Sequence, residues 1–301
     1  MLKHWQHTEY VSKTEFEQFK KLNTPVVPSV EIPYNTAVYI QSDEGDRLEG
    51  VYDPTIKGIR KLRKSSAPNR DLRLYDDALH SEHITVLAVD GLMGAGKTST
   101  LMKHEIETHL SSVRLPHNME VIEFKPNPDI HKILIAKPAV NAGGEDYGFL
   151  PGDIKEKITP TLRNYTQYFD RYNQEGFDRL YLAGYVEILP LGFVRGMDAE
   201  DLDIIVDEAQ NTKELVTIVS RKAKNARIFL LGDTSPFQID LKGNTPTSNG
   251  LTHIIDLLQG ASYFQYIEMK SLEHIVRSDE VRDLVRRLFK KHGTDPQKWV
   301  I

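Results

Sequence analysis

Gly91-Leu-Met-Gly-Ala-Gly-Lys-Thr98 constrains this chain more than any other stretch. It satisfies G-x-x-x-x-G-K-[ST] at every fixed position. Ahead of it, Ile84, Val86, Leu87, Ala88 and Val89 make the short apolar run of a buried parallel strand, and behind it Leu101, Met102 and Ile106 recur at helical spacing. Strand, glycine loop and helix come in the order a phosphate-binding loop requires. Gly91, Gly94 and Gly96 lack a β-carbon, so the backbone can turn tightly and approach a phosphate. Successive N–H groups then face the anion, with the positive end of the helix behind them. The expected nucleotide-binding stretch runs from Gly91 to Ser99 and includes Leu92, Met93 and Ala95. Lys97 is placed to reach the β- and γ-phosphates, and Thr98 to offer its hydroxyl to Mg²⁺.

A second stretch supplies the carboxylates that such a loop needs. Leu202-Asp-Ile-Ile-Val206 is an apolar strand pattern that runs into Asp207, Glu208, Ala209, Gln210 and Asn211. Downstream of a phosphate-binding loop, paired acids at a strand end read as a Walker B site. Asp207 is expected to hold Mg²⁺, and Glu208 to orient and deprotonate the attacking water. Gln210 suits a γ-phosphate sensor, because an amide both donates and accepts. A third apolar strand, residues 227–232, ends at Asp233, with Gln238 and Asp240 just beyond.

Further strands are read at residues 132–137, 185–189 and 263–267, and helices at 154–172 (interrupted at Pro160), 254–258 and 281–289. Residues 141–152 are too glycine-rich for regular structure and read as a loop, with Tyr147 and Phe149 on it. Near the start, Phe16, Phe19 and Leu22 have helical spacing. Residues 37–41 and 48–52 alternate around a polar turn and read as a β-hairpin. The basic run Lys57, Arg60, Lys61, Arg63, Lys64, Arg70 and Arg73 is either a solvated linker or a phosphate-contacting stripe. This gives an N-terminal extension, residues 1–66, and a nucleotide-binding domain, residues 67–301.

Composition narrows the partners. The 301 residues suffice for one large α/β domain and a smaller piece. The absence of cysteine excludes disulfides and Cys-based zinc sites and fits a reducing cytosol. A net charge of -5 gives no global positive field. Any nucleic acid must therefore follow a local basic path, at residues 57–73, 221–227 or 282–291. The N-terminus lacks the apolar core of a signal peptide, and no apolar run is long enough to span a bilayer. The expectation is a cytoplasmic protein with no membrane partner.

With these motifs in this order, the chain resembles the PhoH-like family of P-loop ATPases, relatives of the cores of superfamily 1 helicases. The resemblance rests on residues 91–98, Ala136-Lys-Pro-Ala-Val140, Gly148-Phe-Leu-Pro-Gly-Asp153, Pro190-Leu-Gly-Phe-Val-Arg-Gly196, Asp207-Glu-Ala-Gln-Asn211, Gly232-Asp233, Gln238-Ile-Asp240, Asn249-Gly-Leu251 and His274-Ile-Val-Arg-Ser278. It implies Mg²⁺-dependent ATP hydrolysis in a RecA-like α/β fold, a mostly parallel sheet flanked by helices. It also implies a homo-oligomeric ring, a hexamer, acting helicase-like on single-stranded RNA or DNA. In a ring the second face of the ATP site comes from a neighbour, and Arg277, then Arg195, are the arginines expected to complete it. Gln238 would reach the γ-phosphate, although Thr234-Ser-Pro-Phe237 lengthens its approach and Ser235 is an alternative. Leu72 stands where the family places an adenine-reading Gln, which implies loose base choice.

Two other functions compete. A small-molecule kinase would need an acceptor site and a lid, and Asp207-Glu-Ala-Gln210 favours water activation instead. A nucleotide-dependent binding switch that scarcely hydrolyses is opposed by Glu208.

Overall fold

A computed structural model describes residues 4–117, 125–137, 163–194 and 196–294. The glycine-rich stretch 141–152 with Tyr147 and Phe149, the motif at 148–153, the start of the helix expected from residue 154, and Arg195 lie outside the described residues. The chain forms two compact units, Met1–Leu87 with Leu258–Ile267 and Ala88–Leu257 with Glu268–Ile301.

The first unit carries β1 (Thr8–Val11), α1 (Lys13–Leu22), β2 (Ala37–Ser42), β3 (Arg47–Asp53), β4 (Gly58–Lys61) and α2 (Arg70–Leu79). Its four strands are ordered β1-β2-β3-β4. The expected hairpin is β2–β3, antiparallel with Ile40 opposite Leu48. Strand β1, parallel to β2, escaped the sequence reading because four residues are too few for a periodicity. Helix α1 starts at Ser12, whose hydroxyl accepts the Glu15 N–H while the Glu15 carboxylate accepts the Ser12 N–H. Such a reciprocal cap is worth about 1 kcal/mol. The helix buries Phe16 and Phe19 in a cluster with Ile32, Val38, Ile40 and Ile59.

The basic run is largely spent inside this unit. Part of it is β4. Arg60 lies between Asp53, 2.8 Å from Nε, and Asp77, whose two oxygens accept at 2.8 and 2.9 Å. Arg73 pairs with Glu49, and the Lys61 ammonium donates to the Lys20 carbonyl. Lys57, Arg63 and Lys64 remain exposed. Asn69 caps α2 by accepting the Leu72 N–H, and the Leu72 side chain is buried.

Three strands open the other sheet: β5 (Val86–Gly91), β6 (Lys132–Lys137) and β7 (Val186–Pro190). The remaining strands are β8 (Leu202–Val206), β9 (Arg227–Gly232) and β10 (Phe264–Met269). The helices around them are α3 (Lys97–Glu105), α4 (Arg163–Tyr172), α5 (Gly176–Leu182), α6 (Leu191–Val194), α7 (Leu215–Val219), α8 (Gly250–Leu258) and α9 (Asp279–Lys291). Strand order in this six-stranded sheet is β10-β5-β9-β8-β6-β7. The β6–β7, β6–β8 and β8–β9 pairs are parallel. This is the α/β fold, with a parallel sheet flanked by helices, that the sequence implied. Every residue of β5 and β8 is buried, as central parallel strands require. Because β9 separates β5 from β8, the carboxyl ends of these three strands lie side by side, where open α/β sheets bind ligands. Among the described residues no helix is long and apolar enough to cross a membrane.

Candidate nucleotide-binding site

The loop after β5 takes its shape from two glycines. Gly94 has φ 81° and Gly96 φ 91°, a region that strains any residue with a β-carbon. Gly96 precedes the first turn of α3 and no side chain caps it. The amides of that turn, which belong to Lys97, Thr98 and Ser99, have no acceptor within the helix and suit an anion. The Ser99 hydroxyl donates to the Gly96 carbonyl. Leu92 and Ala95 are buried, and their own N–H groups are already bound to the Met269 and Leu92 carbonyls. Leu92 anchors the loop in a cluster with Ile275, Val285 and Phe289, and Met93 packs against it.

Lys97 ties the loop to the other motifs. Its ammonium donates to the Gly91 and Leu92 carbonyls at 2.5 and 3.3 Å. Its charge also pulls down the carboxyls of Glu208 and Asp233. For Glu208, burial and then the Asp207 carboxylate outweigh that pull, aided though it is by Gln210, and hold the group above the ordinary carboxylate range. Burial raises Asp233 likewise. Glu208 sits at φ 53°, ψ 40°, a left-handed conformation that costs a non-glycine residue about 1–3 kcal/mol.

Gln210 stabilises that conformation. It is fully buried; its amide nitrogen donates to Glu208 at 2.7 Å and to the Gln238 carbonyl at 3.0 Å, and its oxygen accepts the Asp233 N–H. These bonds engage both the donor and the acceptor ends of the amide, so it holds Glu208 in place, and sensing a phosphate would mean exchanging one of them. Gln238 enters the site through its backbone carbonyl, shared by Gln210 and Asn211. The Asn211 side chain in turn accepts the Asp240 N–H.

Thr98 and Asp207 meet around one phenol. The fully buried Tyr165 hydroxyl lies against both, without a hydrogen bond of good geometry. Burial and then the Asp207 charge push that phenol well above its usual range. Lys137, at the end of β6, has its ammonium 3.2 Å from Asp207. A hydroxyl and a carboxylate are oxygen donors of the kind Mg²⁺ takes next to bound phosphates. Two polar atoms nearby, Ser235 Oγ and Asp233 Oδ2, are buried without a hydrogen-bond partner among the described residues. The residues therefore fit a nucleotide with Mg²⁺.

Sequence reasoning missed the support beneath the loop. Asp90, fully buried, accepts from the Thr234 N–H at 3.0 Å and hydroxyl at 2.7 Å, and pairs with the buried Lys270 at 2.7 Å. The network locks the ends of β5, β9 and β10 together. Its signal was present: Asp90 is a lone acid in an apolar strand. Tyr165 carried no comparable signal, and Lys137 stood in the motif at 136–140 with no role attached to it.

Arg277 is exposed, and its β-carbon lies 3.3 Å from where a β-carbon on Gly94 would be. The Val276 N–H donates to the Gly94 carbonyl. Arg277 thus stands on the loop of its own chain.

A family model described as PhoH-like protein matches residues 117–289. A PhoH-like protein of Bacillus subtilis strain 168 is 34% identical over 271 residues, 87% of this chain and 77% of that one. The chain belongs to the PhoH-like protein family. The family match begins after the glycine loop, but an alignment spanning 87% of the chain necessarily includes residues 91–98. This PhoH-like chain is also 31% identical over 214 residues to the PhoH-like protein of Mycobacterium tuberculosis strain H37Rv, covering 70% of this chain and 54% of that one. Protein PhoH2 of Thermobispora bispora is 25% identical over 250 residues, with 81% and 53% covered. The chain spans about half the length of these last two relatives.

Proposed function

We propose that this PhoH-like chain is a Mg²⁺-dependent nucleoside triphosphatase, acting on ATP, that couples hydrolysis to binding or remodelling single-stranded RNA or DNA within a ring of identical subunits. The observation that carries the hydrolytic part is the convergence of Lys97, Glu208 and Asp233, with Glu208 held in a strained conformation by Gln210. Lys97 exchanges its loop carbonyls for the β- and γ-phosphates. Thr98 and Asp207 would hold the metal, with Lys137 beside Asp207. Mg²⁺, when bound, supplies neutralisation of the phosphate oxygens. Glu208 accepts the proton of the attacking water; a carboxyl poised above its ordinary range is a better base near neutral pH.

The position of Arg277 favours action on its own subunit's nucleotide. An arginine that meets the transition-state charge contributes about 10³-fold or more. Arg277→Ala is therefore expected to lower turnover by about that factor. Mixing it with Lys97→Ala protein should restore nothing, because each subunit lacks one essential part. Recovered phosphate release after confirmed subunit exchange would place Arg277 across an interface.

For the nucleic-acid part, Lys57 and Lys64 stay exposed where Arg60 and Arg73 are committed to carboxylates. Single strands are expected to bind at low salt, without sequence preference, and to raise turnover. Lys57→Glu with Lys64→Glu should weaken binding and flatten its salt dependence, by about 0.7 in log–log slope for each phosphate that is no longer neutralised, with basal turnover unchanged. If neither polymer binds at about 50 mM salt with a non-hydrolysable ATP analogue present, a nucleotide-dependent switch becomes the better account.

A further inference from the structure

Away from the nucleotide site, at the opposite end of β8, two buried carboxylates and two half-buried imidazoles gather. Asp203 is the second residue of β8, and Ile133 of β6 lies opposite it, so the set sits at the amino ends of both strands. Asp207 lies just past the other end, about 13 Å along the strand at 3.3 Å per residue. Glu105 comes from the last residue of α3 and His109 from the π-helical turn Ile106–Leu110 that continues it. His131 comes from the residue before β6. Single π-turns inside helices recur at functional sites because they re-aim side chains.

Donor atoms of Glu105, His109 and Asp203 lie within 4.8 Å of one another. His109 Nε2 is 3.4 Å from Asp203 Oδ2 and 4.0 Å from Glu105 Oε2, and His131 Nε2 is 3.4 Å from Asp203 Oδ1. Bonds of about 2.0–2.1 Å in tetrahedral geometry separate neighbouring ligand atoms by about 3.3 Å.

Glu105 and His109 both lie against Asp203, but without hydrogen bonds of good geometry. Glu105 and Asp203 are fully buried, and both Glu105 oxygens, Asp203 Oδ2 and His131 Nε2 have no hydrogen-bond partner among the described residues. Asp203 Oδ1 accepts the Arg227 N–H. Burial and then the Asp203 carboxylate push the Glu105 carboxyl well above its ordinary range; against the effect of its own burial, contacts with His109 and Glu105 hold Asp203 below it. His104 Nε2 lies 3.8 Å from Glu105. Buried oxygens left this bare cost stability unless something occupies the space between them.

We propose that Glu105, His109, His131 and Asp203 bind a divalent transition-metal ion, Zn²⁺ foremost, as a structural clamp between the helix after the glycine loop and the start of the sheet. Glu105, His109 and Asp203 converge on one another, and His131, 3.4 Å from Asp203 Oδ1, would supply the fourth donor of a closed site. Imidazoles and carboxylates are donors that zinc accepts, and zinc on entering would displace any proton held by the carboxyl pair. The absence of cysteine leaves this donor set untouched. In the sequence its trace is the spacing Glu105-x-x-x-His109.

The test uses the full chain, incubated with Zn²⁺, freed of excess by gel filtration, and assayed by mass spectrometry for bound metal. One Zn²⁺ per chain is expected, with a higher melting temperature than after chelation. Co²⁺ in its place should give tetrahedral d–d absorption in the unmutated protein, a readout that needs no variant to fold. Glu105→Gln, which keeps the shape, and His109→Ala should lower zinc affinity roughly tenfold or more. Asp207→Asn should leave the stoichiometry unchanged. The proposal is overturned if the folded wild-type chain retains no metal. It is equally overturned if Glu105→Gln and His109→Ala bind zinc as tightly as the wild-type chain; the cluster would then be a carboxyl pair sharing a proton.

Discussion

Replacing Glu208 with glutamine is expected to leave nucleotide binding intact while slowing phosphate release about 10²- to 10⁴-fold, the usual worth of a positioned general base. Glutamine keeps the side-chain volume, and Gln210 can still hydrogen-bond the Glu208 position through the remaining oxygen, so the left-handed turn survives. What disappears is the acceptor for the water proton. Binding of a fluorescent ATP analogue, measured beside single-turnover hydrolysis, separates the two effects. Full turnover in Glu208→Gln would move the base elsewhere, and loss of binding would mean that Glu208 serves the fold and not the reaction.

Asp90→Ala is expected to destabilise the chain by about 3–5 kcal/mol, the cost of leaving one partner of a buried ion pair alone. Lys270 is buried; its ammonium is 2.7 Å from Asp90, donates to the Thr234 hydroxyl at 2.7 Å, and lies 4.0 Å from Glu268. Thr234 would lose the acceptor of both its N–H and its hydroxyl. At about 2–4 °C per kcal/mol, the melting temperature should fall by roughly 6–20 °C. Asp90→Ala with Lys270→Met removes the stranded charge as well and should recover much of the loss. A fall in stability below about 1 kcal/mol in the single variant would show that the pair is solvated like a surface one.

The parts of this protein legible in its sequence are those whose chemistry is local. A glycine loop declares itself because Gly94 and Gly96 need positive φ within a few residues of Lys97. Strand β8 declares itself because every residue is buried and the acids follow at once. The hairpin β2–β3 was legible from alternation around a polar turn. Arg60, by contrast, looked like one cation in a run, and only the fold brings Asp53 and Asp77 to it from either side in sequence. Gln210 fitted a phosphate sensor by residue type, yet its partners Glu208, Asp233 and Gln238 come from two different loops. The same holds for Tyr165 beside Asp207 and for His131 beside Asp203. Side chains that act by pairing across the sheet leave no spacing to read.

Phosphate release from ATP by the purified chain, with Mg²⁺ and then with the metal chelated, alongside Lys97→Ala, decides whether the chain is a metal-dependent hydrolase. Lys97 is the cation that the loop, Glu208 and Asp233 share. Turnover is expected to require Mg²⁺, to rise with single-stranded RNA or DNA, and to be lost in Lys97→Ala. Equal release by Lys97→Ala, or none from the wild-type chain with Mg²⁺ and both polymers present, would contradict that expectation.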